Sequence, residues 1–174
     1  MRTTRTIRAL TTSAAVALAI GGFTAAPAFA DGSGTVGHVL LNAELVGSMP
    51  APGSPVVAGI NPGGAPWVNG PSRVRVQDDG RVTVQIRGLV IPPPRGTGVN
   101  PIPFVVATVV CDQQIGASTT PFALSAAGDG STRQVIAVPR RCDDPVVLIQ
   151  PAANRAVCIA STLEHERSHT ERDD

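Results

Sequence analysis

The chain has 174 residues, and its 14 basic side chains, all arginine, stand against 13 acids for a formal net charge of +1. The arginines are scattered, and the adjacent pair Arg140-Arg141 is followed at once by Asp143-Asp144, so the clustered positive charge that tracks a nucleic-acid backbone is missing. Tyrosine is absent and the chain beyond Ala30 keeps only Trp67, Phe104 and Phe122, which leaves at most one or two flat platforms of the kind that carbohydrate and single-strand sites lean on.

Met1 to Arg8 carries Arg2, Arg5 and Arg8 with no acid, Ala9 to Phe23 follows without charge, and Pro27-Ala28-Phe29-Ala30-Asp31 places small side chains at Ala28 and Ala30. That order is a secretory signal peptide's, residues 1–30, with the cut after Ala30. The apolar run is short against the ~20 residues of a spanning helix. Thr11, Thr12, Ser13 and Gly21-Gly22 interrupt it, so cleavage is expected rather than anchoring, and the product should hold no stable place in a membrane. Cleavage leaves 144 residues, with the 14 arginines less Arg2, Arg5 and Arg8 against 13 acids, a formal net near −2. That length suits one domain able to bury a core.

Val36 to Val46 reads as a first strand, with Val39, Leu41, Ala43 and Leu45 on one face. Ser48 to Pro71 is dense in Pro and Gly, which defeats helix and central strand alike; a long loop is expected, with a short edge strand at 55–59. From Arg73 to Arg87 valines and Ile86 recur at every second position on both sides of Asp78-Asp79-Gly80, the period of half-buried strands joined in an antiparallel hairpin. Arg73, Arg75, Arg81 and Arg87 then share the outward face, read as a solvated surface that resists aggregation in preference to an anion site. Phe104 to Cys111 is β-branched and apolar on both faces, as in the middle of a sandwich. Shorter strands are expected at 121–126, 133–138, 146–150 and 155–162, each bounded by turn residues. Together these predict an all-β fold, an antiparallel sandwich of immunoglobulin-like kind with seven or eight short strands over residues 31–162. A charged flexible tail, 163–174, follows.

Cys111, Cys142 and Cys158 all lie in the exported part, where disulfides persist. Connectivity does not follow from spacing alone. Cys111 and Cys142 sit at strand ends with Asp immediately after, which favours their pairing, whereas Cys158 is embedded in an apolar strand and reads as a small buried hydrophobe. Such a bridge would bring Asp112 near Asp143 and Asp144, a trio that could hold calcium, although Arg140 and Arg141 beside them and the missing ligand series favour turn-forming aspartates.

His165-Glu166-Arg167-Ser168-His169 reads H-E-x-x-H, which on a helix supplies two zinc ligands and a general base. Its neighbours Glu164, Arg167, Glu171, Arg172, Asp173 and Asp174 leave almost no apolar face to dock, only five residues follow His169, and Arg172 stands where the extended motif has glycine. His38 is the other histidine, and no G-x-S-x-G elbow is present. Trp67, alone in its Gly/Pro-rich loop, reads either as a binding anchor or as the plug that pins that loop; the second is favoured because little else could hold it.

Leu41-Asn42-Ala43-Glu44-Leu45-Val46-Gly47-Ser48 followed by Asp79 to Leu89 resembles the start of a CHRD-type β-sandwich module. Cys111, Cys142 and Pro145 to Ile149 are similar to small secreted proteins of actinobacteria. The histidine-containing stretch of bacterial CHRD modules has no counterpart here. The expectation is therefore a secreted, non-catalytic and monomeric β-sandwich without cofactor, acting through its surface on an extracellular protein or envelope component, with no nucleic-acid partner. The competing reading is a zinc-dependent hydrolase using His165, Glu166 and His169.

Overall fold

The valines on either side of Asp78-Asp79-Gly80 fold back on one another in the computed structural model, which describes residues 37–139 and 141–163. In chain order the strands are β1 (Val39–Glu44), β2 (Val46–Gly47), β3 (Asn61–Pro62), β4 (Arg73–Gln77), β5 (Arg81–Ile86) and β6 (Phe104–Cys111). Then come β7 (Gln114–Ser118), β8 (Phe122–Ala123), β9 (Gly130–Val135), β10 (Pro145–Pro151), β11 (Val157–Cys158) and β12 (Ala160–Ser161). No helix occurs among the described residues.

Two antiparallel sheets form the sandwich. One has the order β1-β4-β5-β9; the other runs β2-β12-β10-β6-β7, with β8 also paired to β6. Val74, Val76, Val82, Val84 and Ile86 from the first meet Val105, Ala107, Val109, Val147 and Ile149 from the second in a common core. Removing each such branched side chain from water contributes about 1.5–3 kcal/mol, so the alternation of β4 and β5 is what fixes which face turns inward. Gly80 closes their hairpin at φ 82°, and a Cβ there would stand 2.1 Å from the Ile136 carbonyl oxygen, so only glycine fits.

The expected first strand divides at Leu45. Residues 39–44 pair with β4 in one sheet and residues 46–47 pair with β12 in the other, while Leu45 is buried between them and gives its N–H to the Ser72 carbonyl. The chain thereby changes layers, a recurrent way of joining two sheets.

The segment 48–71 is more ordered than a plain loop. β6 and β10 are apolar on their inner face, and Val110, Val146 and Leu148 on their outer side would face water unless something covered them. Val57 and Ile60 do so, forming a second buried cluster with those three and Cys158. The cover is held at both ends: Ser48 N–H donates to Ile159 O, Gly63 N–H to Cys158 O, and β3 pairs with β11. That last pair is parallel, a local departure from the antiparallel pattern. Trp67 fixes the end of the segment, 5% exposed within the main core, and its backbone passes so near Gly47 that a Cβ there would lie 2.3 Å from the Trp67 carbonyl oxygen.

β7 was not expected from the sequence. It returns from β6 through Asp112-Gln113, both in the left-handed region at φ 51° and 60°, as a tight hairpin of this twist requires. The Gln113 side chain then accepts the Ala58 N–H at 3.2 Å, tying this turn to the cover. β9 begins at Gly130, three residues before the expected start at 133, because Gly128 at φ 79° already completes the reversal. The expected strand at 121–126 shrinks to Phe122–Ala123.

Candidate functional site

Strict alternation in β4 and β5, carried on by β1 and β9, leaves one face of the four-stranded sheet to solvent. Register places Asn42, Arg75, Thr83 and Arg133 in one row across all four strands, and Glu44, Arg73, Gln85 and Ser131 in the next. Neighbouring strands lie about 4.8 Å apart and alternate residues about 6.7 Å apart along a strand, so the rows make a flat grid of guanidinium, amide and hydroxyl groups. Two shallow cavities indent it. One, of about 180 Å³, is lined by Asn42, Arg73, Arg75, Thr83 and Gln85 with Val74 beneath; the other, of about 260 Å³, by Gln85, Arg87, Asp129, Gly130 and Ser131.

Little of the charge on this face is neutralised. Arg73 lies 3.8 Å from Glu44 with the two side chains 68% and 55% exposed, and Arg81 lies 3.5 Å from Asp79. Exposed pairs of this kind are worth about 1 kcal/mol or less. Among the described residues Arg75, Arg87 and Arg133 have no ion pair. Asp129 is occupied by the Gly88 N–H, 3.0 Å from its Oδ1.

The other residues singled out in the sequence lie elsewhere. Cys111 and Cys142 form a disulfide with Cα atoms 4.9 Å apart and a separation of 31 residues, a closure worth roughly 3–4 kcal/mol. It joins the end of β6 to the segment entering β10, its neighbour in the sheet. Cys158 is buried at 2% exposure under the cover. Asp112, Asp143 and Asp144 are each exposed. Among the described residues no three His, Cys, Asp or Glu side chains gather to hold a metal ion. Trp67 packs inside the sandwich rather than offering its ring to a ligand. His165, Glu166 and His169, like the leader 1–30, lie outside the described residues.

Three buried hydroxyl groups are tied into the fold. Ser48 Oγ donates to Cys158 O at 3.0 Å, Thr119 Oγ1 accepts the Ala107 N–H, and Thr108 Oγ1 donates to Gln150 Oε1. His38, the one histidine among the described residues, is exposed, with Nδ1 3.0 Å from the carbonyl of Val39. Spacing in the sequence puts Thr83 and Gln85 on the outward side of the hairpin with the arginines, but Asn42 and Arg133 join that surface only through strand pairing. A strand is expected here from residue 133 onward, but only the pairing of β9 with β5 reveals which row Ser131 and Arg133 join. No protein-family model matches the chain, and neither curated proteins nor solved structures gave a match.

Proposed function

We propose that this chain is an exported, non-catalytic binding module whose working surface is the open face of the four-stranded sheet. The observation that carries the reading is the difference between the two outward faces: the chain covers part of one with its own Val57 and Ile60 and leaves the other bare, flat and rich in unpaired arginine. A polar grid of this extent suits a partner outside the cell, an envelope component above all. The signal-peptide pattern of residues 1–30 and the disulfide support that setting.

Sedimentation of the purified protein with isolated bacterial cell envelopes tests the reading. Saturable co-sedimentation is expected, with no hydrolysis of peptide or ester substrates and no bound zinc. A protein that stays in the supernatant at every envelope concentration would overturn it. So would stoichiometric zinc whose removal abolishes a hydrolytic activity.

A further inference from the structure

The open face carries a more specific message about its partner. Arg73, Arg75, Arg87 and Arg133 share it with Glu44 and Asp129, while Arg81 is matched by Asp79 at the hairpin end beside Asp78. Each guanidinium presents a planar fork of N–H donors that fits the two oxygens of a carboxylate or phosphate. Thr83, Gln85 and Asn42 stand between these forks and can exchange hydrogen bonds with hydroxyl groups. At about 180 and 260 Å³, the cavities fall below the ~300 Å³ from which sites enclosing a whole small molecule begin. They share Gln85, so they can seat successive units of a chain lying across the strands.

We infer that this face takes a polyanionic glycan, its charge carried by carboxylates or phosphodiesters. The inference rests on the binding-module reading. A protein partner is less well matched because interface energy concentrates in Trp, Tyr and Arg anchors that are fully desolvated in well-packed pockets, whereas the arginines here stand exposed around two shallow cavities. Here the exposed large apolar side chains of the four-stranded sheet are Val39 and Val135, both at the hairpin end and outside the two rows. A neutral glycan or a single-stranded nucleic acid would call for stacking rings, and the two rows hold none.

The test is a set of binding isotherms for the purified protein with polygalacturonate as the carboxylate polymer, phosphomannan as the phosphodiester polymer, dextran as the neutral control, and poly-glutamate as the acidic polypeptide. Binding to at least one charged glycan is expected, weakening as salt rises, with none to dextran; the preferred polymer identifies the anionic group. The double substitution Arg75→Gln with Arg133→Gln should weaken binding about tenfold or more. Arg95→Gln with Arg155→Gln, exposed arginines outside the two rows, should change it less than about twofold. Thermal melts unchanged in both variants would show that folding is intact. Failure to bind either charged glycan, equal losses in the two variants, or equal affinity for poly-glutamate would each overturn the inference. Envelope co-sedimentation that persists while both glycans are ignored would do so and leave the binding-module reading standing; loss of both would remove the two together.

Discussion

The two sheets solve the same problem in opposite ways. In the four-stranded sheet β4 and β5 each carry one apolar and one polar face, so a single packing event satisfies them. In the six-stranded sheet the outer face of Phe104–Cys111 and Pro145–Pro151 is apolar at Val110, Val146 and Leu148 and polar at Thr108 and Gln150, and burying the inner face leaves this outer one to be satisfied separately. The chain meets that demand with Val57 and Ile60 on one part of the outer face. On another part it places a polar chain in which Thr108 bonds both Ser118 and Gln150, and Gln150 Nε2 reaches Arg155 O. Every buried side-chain polar atom among the described residues is satisfied, so this second solution leaves no unmet donor or acceptor to penalise it. The lesson is that a surface becomes available for function where local pattern already suffices, and is consumed by structure where it does not.

The comparison can be broken most forcefully at the end of the cover. Trp67→Ala should lower stability by about 4 kcal/mol, the usual cost of emptying a large buried aromatic site, read as a shift in the urea midpoint; an unchanged midpoint would mean that the segment does not depend on this ring. Beneath the cover, Leu148→Ala should cost about 3 kcal/mol by the same measurement, making the outer face of the six-stranded sheet as sensitive as an interior. Asn69 deserves a smaller figure. Its side chain accepts the Gly47 N–H at 2.6 Å and donates to Leu45 O at 2.8 Å, and Asn69→Ala should cost about 1–2 kcal/mol, with faster amide exchange at Gly47 as a local check. On the open face of the other sheet, Arg75→Gln should move the midpoint by less than about 0.5 kcal/mol. A large loss there would show that the face is structural and would erase the contrast.

Legibility in the sequence follows the same division. The hairpin Arg73 to Ile86 was readable because its valines report on one buried face at period two, and Phe104 to Cys111 because an unbroken β-branched run can only lie inside. β7 escaped notice because its turn uses Asp112 and Gln113 in a backbone conformation that glycine or asparagine usually signals. The cover escaped as well: proline and glycine mark where regular pairing stops, and they are silent about whether the irregular chain then lies against something. The arginines of β4 and β5 could be placed on a common side from their spacing, but Arg133 joined them only through a pairing between strands more than forty residues apart. The open face was therefore half visible, as a side of a hairpin and not as a surface four strands wide.

The division of Val39–Gly47 at Leu45 has a mechanical consequence. This one stretch supplies an outermost strand of each layer, so a tug on it is shared by both layers at once, as a seam shares load between two panels. The layers cannot slide apart independently on that side, and anything tethered upstream would pull on the whole sandwich.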